Sequence, residues 1–565
     1  MLQPKLFTVL KNGYTKEQLL KDIIAGIIVG IIAIPLSIAL AIASGVSPEK
    51  GLITAIIGGF LISFLGGSRV QIGGPTGAFV VIIYKIIQDF GYSGLVIATL
   101  MAGVILILMG VLKFGSAIKF IPYPITTGFT SGIALVIFSQ QLKDFLGLRM
   151  ERNPSEFVER LVEYGKNIGT LQIQSLVVGL AALAILMGWP YLNKRIPAAL
   201  IAILVTTAMV QLLGIQVDTI GSRFTDLKPV IPQFTLPTTD WATVRSLIQP
   251  AFTIAILAGI ESLLSAVVAD GMIGGKHRSN MELVAQGIAN IGSVLLGGIP
   301  ATGAIARTAA NVRNGGRSPV AGIVHSLTIF LIMLILMPFA KLIPMTTLAA
   351  ILMIVAYNMS EIRVFKGLLK ASKADVLILL LTFVLTVLID LVVAIEVGLV
   401  LAAFLFMKRM ADSTSIQSIR EDLQDQPDFA LTNPDGIDPR IQIYQIDGPF
   451  FFGAADSFAN TIQDNIAPTQ VLILRFRHVP FMDATAYQAL YKVYTYCRRH
   501  RILLMFTQMQ DQPLAILEKN GFLELAGREN FMPNIEMAMP RAQVYLELHE
   551  KFGKNHSRTK HPTHH

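Results

Sequence analysis

The chain has 565 residues, of which 53% are hydrophobic and 15% are charged, and its formal net charge is +9. This composition is too apolar for an ordinary soluble enzyme. Cations in loops explain the net charge better than nucleic-acid binding does, because no basic-aromatic pattern accompanies them. The single cysteine, Cys497, excludes an intrachain disulfide framework and a cysteine-based zinc site. We expect Cys497 to lie in the core of a soluble domain.

Apolar segments fill the chain from Ile23 to Met410. Residues 23–43 form an uncharged run of 21 residues, which as a helix crosses about 30 Å of hydrocarbon. The run is too long for a cleavable secretory signal, and many further spans follow it. We count about 14 apolar segments in all. The sequence therefore predicts an α-helical membrane protein whose transmembrane domain comprises residues 1–411.

Positive charges are unevenly distributed among the short loops. The loop at 297–301 has no charge and the loop at 340–346 has only Lys341, whereas the loops after even-numbered segments are basic. The positive-inside rule places these basic loops and both termini in the cytoplasm. The cations of the basic loops are Lys113, Lys119, Lys194, Arg195, Lys276, Arg278, Arg363, Lys366, Lys370 and Lys373.

A short motif occurs twice, each time before an unusually short apolar stretch. Gly-Gly-Pro-Thr-Gly-Ala at 73–78 reappears as Gly-Gly-Ile-Pro-Ala-Thr-Gly-Ala at 297–304. Paired Gly/Pro-interrupted segments in matching halves indicate the substrate site of an inverted-repeat transporter. Broken helices are tolerated at membrane depth only where they line a cavity or are buried in protein. We therefore expect two half-helices that face each other inside the bundle of a secondary transporter.

The repeated motif predicts an anion site. Half-helices that begin at Gly77 and Gly303 would direct unpaired N–H groups and partial positive charge at one cavity. The two threonines would occupy N-cap positions, where a hydroxyl group caps the helix or contacts the ligand. The alternative is a pair of structural breaks with capping threonines. The candidate substrate-binding residues are Thr76, Gly77, Ala78, Thr302, Gly303 and Ala304.

Arg307 is a further candidate substrate-binding residue, because it lies on the second half-helix, one turn beyond Ala304. An arginine at membrane depth is costly and usually functional. Arg307 would add positive potential to the cavity, or it would form a structural ion pair with Glu261.

Glu261 is the only charged residue in the apolar stretch 252–268. Burial favours its protonated form, whereas Arg307 or helix ends would favour the carboxylate. A group balanced in this way can gain and lose a proton, which predicts a coupling residue for proton symport. Ser265, one turn on, would instead complete a set of oxygen ligands for Na⁺ with Glu261, Thr302 and backbone carbonyl groups. A third interpretation is a structural carboxylate that fixes helix packing.

The composition changes sharply after Arg409. Residues 412–439 are polar and are predicted to form a linker. In residues 440–550, strands alternate with helices, which predicts a soluble α/β domain of about 110 residues. The basic tail at 551–565 is expected to be disordered.

Six short segments together match one protein family. In chain order they are Ile-Pro-Leu-Ser-Ile-Ala at 34–39, the motif at 73–78, Gly-Ile-Glu-Ser at 259–262, residues 300–311, Asp-Gly-Pro-Phe-Phe-Phe at 447–452 and Asp-Ala-Thr at 483–485. Over about residues 15–545, the chain resembles the SulP (sulfate permease) anion transporters that carry a C-terminal STAS domain.

The resemblance implies a fold, an assembly and a mechanism. The fold would have 14 transmembrane segments in two inverted repeats of seven, divided into core and gate subdomains, with a cytoplasmic STAS domain. The protein would be a homodimer in the bacterial inner membrane, and its core would move past the gate in an elevator-like cycle. The STAS domain implies regulation, assembly or a cytoplasmic protein partner. Thr485 stands where related soluble regulators carry a phospho-acceptor, although helix capping by Asp483 is the simpler explanation of this motif.

The resemblance also implies a substrate. Residues 57–75, 127–132, 262–271 and 357–361 are similar to those of bacterial C4-dicarboxylate transporters of the family, which implies uptake of succinate, fumarate or aspartate with protons. The alternatives are sulfate/proton symport and Na⁺/bicarbonate symport. Many relatives have Gln where this chain has Leu36, and bicarbonate/Na⁺ relatives have Asp at the Glu261 position.

A different class of function is a membrane-anchored regulator whose membrane part only senses an anion. A buried acid beside an anion site argues against such a sensor, since sensing needs no coupling group. The sequence shows no nucleophile–base pair, metal-ligand cluster or nucleotide motif, so it predicts no enzyme activity, cofactor, metal or nucleic-acid partner.

Overall fold

The computed structural model describes residues 2–558, apart from 12, 117–121, 153, 194–195, 225–231, 233, 235–236, 238–239, 390, 420–436 and 466–468. The predicted loop cations Lys119, Lys194 and Arg195 lie outside the described residues. The chain forms two compact units, Met1–Val400 and Leu401–His565.

The first unit is a bundle of helices. Six of its described helices are long and apolar enough to cross a membrane, namely Lys16–Ala43, Pro48–Leu65, Gly77–Val111, Ile173–Leu192, Ile248–Ile273 and Met345–Leu368. A break at Gly91, where φ is 66° and ψ is −174°, divides Val80–Val111 into two helices. The bundle agrees with the predicted 14 segments in two repeats of seven.

The first unit combines α-helices with short π-helical and 3₁₀ turns. In chain order, its described helices and turns are Lys5–Lys11, Lys16–Ala43, Pro48–Ile53, the π-helical turn Thr54–Gly58, Gly59–Leu65, the 3₁₀ turn Gly77–Phe79, Val80–Val111, Tyr123–Leu146, Phe157–Asn167, the 3₁₀ turn Ile168–Thr170, Ile173–Leu192, Ala198–Leu213, Ile220–Arg223, Trp241–Ser246, Ile248–Ile273, Ser279–Leu295, Ile305–Arg313, Val320–Ala340, Met345–Met359, Ile362–Leu368 and Lys373–Leu388. The helix Leu391–Asp412 begins in the first unit and ends in the second.

The spans pack in two groups. In the core group, Lys16–Ala43 packs against Val320–Ala340, and Ile248–Ile273 and Ser279–Leu295 pack against Val80–Val111. The gate group is built around Tyr123–Leu146. Its other packed helices are Ile173–Leu192, Ala198–Leu213, Met345–Met359 and Lys373–Leu388.

Glycines allow close contact between the helices Lys16–Ala43 and Val320–Ala340 of the core group. A Cβ atom on Gly26 would lie 2.5 Å from the carbonyl oxygen of Ala321, and one on Gly30 would lie 2.9 Å from Cβ of Thr328. Small residues four positions apart let two membrane helices approach closely, and side chains there would push the helices apart.

The second unit contains a five-stranded sheet. Its strands, in spatial and chain order, are Ser415–Ser418, Ile441–Asp447, Val471–His478, Leu503–Thr507 and Phe531–Met532. The first pair is antiparallel and the other pairs are parallel. Helices alternate with the parallel strands, as the sequence predicts. They are Phe452–Asn465, Ala484–Arg499, Asp511–Lys519, Phe522–Ala526 and Ile535–Arg558, with a 3₁₀ turn at Arg528–Asn530.

Two boundary predictions need correction. The predicted linker 412–439 contains the strand Ser415–Ser418, which pairs with Ile441–Asp447. Its short polar sequence carries little strand signal, and the pairing partner supplies the backbone hydrogen bonds. The predicted disordered tail begins as helix, because Ile535–Arg558 runs past residue 551. The rest of the tail, 559–565, lies outside the described residues.

Cys497 lies in the core of the second unit, as predicted, with 1% of its surface exposed. Burial raises the pKa of its thiol to about 12, so the thiol stays protonated at neutral pH.

Candidate functional site

The two repeated motifs pair with each other inside the bundle. Gly73 and Gly74 form an antiparallel two-residue ladder with Gly303 and Thr302, respectively. Next to the ladder, the backbone N–H of Ala304 donates to the carbonyl oxygen of Ile72 at 2.9 Å. The ladder therefore brings the beginnings of both half-helices to one place, as the inverted repeat predicts.

The first half-helix begins as predicted, with the 3₁₀ turn Gly77–Phe79. Thr76 has extended backbone angles at the N-cap position, but its side chain does not cap the helix. Its hydroxyl group donates instead to Oε2 of Glu261 at 2.8 Å. Thr76 and Gly77 are partly exposed, whereas Ala78 is buried. Thr76 thus joins the predicted anion motif directly to the predicted coupling residue.

The second half-helix does not begin where predicted. It runs over Ile305–Arg313 with Ala304 at the N-cap position, so the predicted start at Gly303 and the predicted cap by Thr302 are wrong. The reason is the ladder, which holds Thr302 and Gly303 in extended conformations. Thr302 is fully buried, and its hydroxyl oxygen lies 2.6 Å from Oγ of Ser262.

Ser262 is a site residue that the sequence interpretation missed. Its Oγ accepts a hydrogen bond from the backbone N–H of Gly303 at 3.1 Å, in addition to its bond with Thr302. The Glu261 helix therefore holds the ladder through the residue next to Glu261. The signal was present, because Ser262 belongs to the motif Gly-Ile-Glu-Ser at 259–262.

The hydroxyl group of Ser265 does not hydrogen-bond to Glu261. Its hydroxyl group donates to Oγ1 of Thr308 at 3.3 Å, and Thr308 also accepts from the backbone N–H of Ile72 at 3.0 Å. Both hydroxyl groups are buried. In the described structure neither Ser265 nor Thr302 hydrogen-bonds to Glu261, and a Na⁺ site built from these residues stays a prediction.

Arg307 is buried beside the ladder with 2% of its surface exposed. Its Nη2 donates to the carbonyl oxygen of Pro75 at 3.0 Å and to Oγ of Ser37 at 3.4 Å. Its Nε and Nη1 have no hydrogen-bond partner among the described residues. The predicted ion pair with Glu261 is absent from the described part of the chain, where no carboxylate lies within 4.0 Å of this guanidinium.

One further buried polar side chain, that of Gln71, lies close to the ladder. Gln71 is 3% exposed, and neither Nε2 nor Oε1 has a partner in the described chain. A Cβ atom on Gly303 would lie 1.5 Å from Nε2 of Gln71, and one on Gly74 would lie 2.2 Å from Nη1 of Arg307. Both glycines are therefore required for the close approach of these polar side chains to the backbone.

The gate group contacts the site through apolar side chains. A Cβ atom on Gly77 would lie 3.1 Å from Sδ of Met359 and 3.5 Å from Cδ1 of Ile137. Met359 ends the gate helix Met345–Met359, and Ile137 lies on Tyr123–Leu146. Sequence reasoning did not single out either residue, because an apolar side chain in a membrane span carries no distinctive signal.

The last predicted site residue, Thr485, lies in the second unit. Thr485 is exposed in the first turn of Ala484–Arg499, where Asp483 accepts from the backbone N–H of Ala486 at 2.8 Å. This bond is the helix cap that the sequence offered as the simpler explanation, and phosphorylation of Thr485 stays a prediction. No cluster of three or more His, Cys, Asp or Glu residues suitable for a metal occurs within the described ranges.

Two broken helices that meet beside a buried cation define a helical membrane transporter. Residues 19–382 match the Sulfate permease family, and residues 435–538 match the STAS domain. The chain belongs to the sulfate permease family; it is a multi-pass anion transporter with a C-terminal STAS domain and is not an enzyme.

Known relatives agree with this assignment. "Putative sulfate transporter YvdB" of Bacillus subtilis (strain 168) is 42% identical over 521 residues, which cover 92% of this chain and 97% of YvdB. "Bicarbonate transporter BicA" of Picosynechococcus sp. (strain ATCC 27264 / PCC 7002 / PR-6) is 30% identical over 463 residues, which cover 79% of this chain and 81% of BicA.

Solved structures share the fold. The structure of SLC26A9 superposes with a TM-score of 0.85 and 20% identity, covering 97% of this chain and 94% of that chain. The transmembrane domain of a cyanobacterium bicarbonate transporter BicA superposes with a TM-score of 0.60 and 27% identity, covering 69% of this chain and 98% of that domain.

We predict that Ser262→Ala destabilises the ladder more than Ser265→Ala does. The first substitution removes the acceptor of the Gly303 N–H and leaves a buried donor unpaired, which costs about 1–3 kcal/mol. The second removes only a longer bond between two hydroxyl groups. Thermal unfolding of the purified variants in one detergent measures the difference. Equal unfolding temperatures for the two variants would contradict the assigned role of Ser262.

Proposed function

We propose that the protein is a secondary active transporter that takes up C4-dicarboxylates, such as succinate, fumarate and aspartate, together with protons. The substrate anion binds between the beginnings of the two half-helices, beside Arg307. Glu261 carries the coupled proton, and the core group moves past the gate group in an elevator-like cycle.

The unpaired cation of Arg307 is the observation that carries the proposal. A buried polar group without a partner is costly, and a buried charge without one costs more. Two guanidinium N–H groups, Nε and Nη1, have no partner in the described chain, and no carboxylate neutralises them. An anionic substrate supplies both the missing acceptor and the missing charge. The N–H groups at the start of each half-helix add donors of the same kind.

The candidate site has an accessible side. Thr76, Gly77 and Ala304 are partly exposed, whereas Thr302 and Gly303 are buried in the ladder. We therefore assign direct substrate contact to Thr76, Gly77 and Ala304 by their exposure, and to the buried Arg307 by its unpaired Nε and Nη1. Ala78, Thr302 and Gly303 shape the site from behind.

Glu261 is placed to exchange a proton. Its carboxyl group accepts from the hydroxyl of Thr76 and forms no ion pair with a cation in the described part of the protein. It can therefore be protonated without breaking an ion pair. Because Thr76 also begins the first half-helix, the protonation state of Glu261 is linked to the geometry of the anion site.

The same contacts favour a proton over Na⁺. A Na⁺ site would need oxygen atoms of Ser265 and Thr302 next to Glu261, but these atoms bond to Thr308 and Ser262. Neither hydroxyl group hydrogen-bonds to the carboxyl group of Glu261. A proton requires only the carboxyl group that is already there.

The proposed substrate class rests on the resemblance of the short segments 57–75, 127–132, 262–271 and 357–361, together with the site chemistry. A dianion suits a site that offers a guanidinium and two helix ends. Sulfate is the second candidate, because it is also a dianion and because the relative YvdB carries a sulfate transporter name at 42% identity. Bicarbonate, named for BicA, is a monoanion and makes less use of the buried cation.

The elevator-like cycle is supported by the contact between core and gate. Met359 and Ile137 approach the first half-helix at Gly77 through apolar atoms, so moving the core breaks no ion pair or hydrogen bond there. The homodimer, the inner-membrane location with cytoplasmic termini, and a protein partner of the STAS domain remain predictions that accompany this proposal.

We expect liposomes that contain only this protein to accumulate labelled fumarate when an inward proton gradient is applied without sodium. Each coupled proton supports about tenfold accumulation per pH unit, and a protonophore should abolish it. Glu261→Gln should retain fumarate exchange but lose accumulation, because the amide cannot carry the proton. Glu396→Gln, which changes an exposed acid of Leu391–Asp412, is the matched control and should behave as wild type.

Two results would count against this proposal. Normal accumulation by Glu261→Gln would exclude the proton-coupling role of Glu261. Accumulation of sulfate or bicarbonate in place of fumarate, in the same liposomes, would reassign the substrate while leaving the site in place.

We expect Arg307→Ala to weaken uptake of a dianion more than uptake of a monoanion. Loss of a buried charge partner costs about 2–5 kcal/mol, which corresponds to a drop of roughly 30-fold or more in affinity for fumarate. Concentration dependence of fumarate and bicarbonate uptake measures the two effects. Arg313→Ala, at the exposed end of the same half-helix, is the control. Equal losses for both anions would make Arg307 a structural residue.

A further inference from the structure

Three cations converge on one loop at an end of the core group, away from the ladder. The backbone N–H of Lys5 donates to the carbonyl oxygen of Gly66 at 2.9 Å, and that of Arg278 donates to the carbonyl oxygen of Gly67 at 3.0 Å. Arg69 follows two residues later in the same loop. We call Lys5, Arg69 and Arg278 the basic cluster.

The charges of the basic cluster are close enough to repel one another. Burial lowers the pKa of Lys5 from its ordinary value, and the neighbouring Arg278 and Arg69 lower it further, while Asp270 opposes the shift. The ammonium group of Lys5 is held by the carbonyl oxygen of Lys276 at 2.9 Å. Nε of Arg69 is buried and has no hydrogen-bond partner among the described residues.

The acids nearby are already occupied. Oδ2 of Asp270 accepts from the backbone N–H of His277 and lies 2.7 Å from its Nδ1. Glu282 accepts from the backbone N–H groups of Gly67 and Ser68 at 2.8 and 3.1 Å. No member of the basic cluster forms an ion pair within 4.0 Å in the described ranges. The three cations of the basic cluster therefore have no carboxylate in ion-pair contact in the described part of the chain, and Asp270 acts on Lys5 only from a longer distance.

An exposed apolar surface adjoins the basic cluster. The helix Lys5–Lys11 buries Leu6 and Val9 but exposes Phe7 and Leu10, each by 48%. The ring of Phe7 meets Phe64 edge-on at 6.1 Å, and Phe64 stacks on Phe60 at 5.6 Å. Phe60 is exposed on Gly59–Leu65, which is part of a membrane span. The apolar surface of the short helix thus continues a lipid-facing surface, as in an interfacial amphipathic helix.

We propose that the basic cluster and the exposed face of Lys5–Lys11 form a binding site for an anionic phospholipid. The headgroup phosphate contacts Lys5, Arg69 and Arg278, and an acyl chain lies along Phe7 towards Phe60. The phosphate supplies the counter-ion that the cluster lacks, and the acyl chain covers the apolar surface. The site is separate from the anion site at the ladder and does not rest on the proposed transport function.

The basic cluster and the exposed apolar face of Lys5–Lys11 together identify the ligand as a lipid. Inorganic phosphate would satisfy the cations but would leave Phe7 and Leu10 uncovered. A neutral lipid would cover the apolar residues but would leave the cations unpaired. Only an anionic lipid matches both in one molecule.

The test titrates the detergent-solubilised full chain with phosphatidylglycerol, and in parallel with phosphatidylcholine of the same acyl chains and with inorganic phosphate, and counts bound lipid by native mass spectrometry. We expect phosphatidylglycerol to bind and both comparison molecules to bind at least tenfold more weakly. The double variant Arg69→Gln/Arg278→Gln should bind phosphatidylglycerol roughly 30-fold more weakly, at about a fivefold loss for each cation. Lys11→Gln, at the exposed end of the same helix, should bind as wild type.

Three results would overturn the proposal. The first is that the double variant binds phosphatidylglycerol as tightly as wild type does. The second is that wild type binds phosphatidylcholine as tightly as phosphatidylglycerol. The third is that wild type binds inorganic phosphate as tightly as phosphatidylglycerol. If the double variant fails to fold, Lys5→Gln and Phe7→Ser replace it, since both residues lie on a short peripheral helix. Each should weaken phosphatidylglycerol binding about fivefold, and unchanged binding by both would overturn the proposal in the same way.

Discussion

The pairing of Gly73–Gly74 with Thr302–Gly303 is the interaction on which the rest of the site depends. A helix that ends inside a membrane protein leaves backbone N–H and C=O groups without hydrogen-bond partners. In the hydrocarbon region no water is available to take the place of those partners. In this bundle each interrupted helix supplies partners for the other. The hydroxyl of Ser262 satisfies one more N–H, at Gly303. Two breaks that would each be unstable alone are therefore stable together.

The ladder also separates the two charges of the site. Arg307 lies where Gly74 lets its guanidinium approach the backbone, and its bonds go to Pro75 and Ser37. Glu261 bonds to Thr76 instead. If the two side chains formed an ion pair, each would neutralise the other. This separation is the basis of the proposed function, in which Arg307 binds the anion and Glu261 carries the proton.

Much of this architecture could be predicted from the sequence, because membrane spans and broken helices have strong physical signatures. The long apolar runs indicate the spans, and the repeated Gly/Pro/Thr motif predicts that the two broken segments meet and that the first half-helix begins at Gly77. The roles of Thr302 and Ser265 could not be predicted. Their hydroxyl groups point to Ser262 and Thr308, on helices whose relative rotation is set by packing across the bundle.

The other differences between the predicted and the observed contacts also arise from how distant segments pack together. The predicted Arg307–Glu261 pair was plausible from proximity along the repeats, but the ladder directs the two side chains to different partners. The strand Ser415–Ser418 forms because it pairs with the edge of Ile441–Asp447. A sequence of four residues is too short to predict this pairing. Contacts of Met359 and Ile137 with Gly77 likewise depend on how two groups of helices meet.

The central claim is that the substrate anion binds at the ladder, between the half-helices and beside Arg307. The most direct measurement is a cryo-electron microscopy map of the full chain in lipid nanodiscs with saturating fumarate, compared with a map without it. We predict added density in contact with the guanidinium of Arg307 and with the backbone at Gly77 and Ala304. Density elsewhere in the bundle, with these groups unchanged between the two maps, would contradict the account.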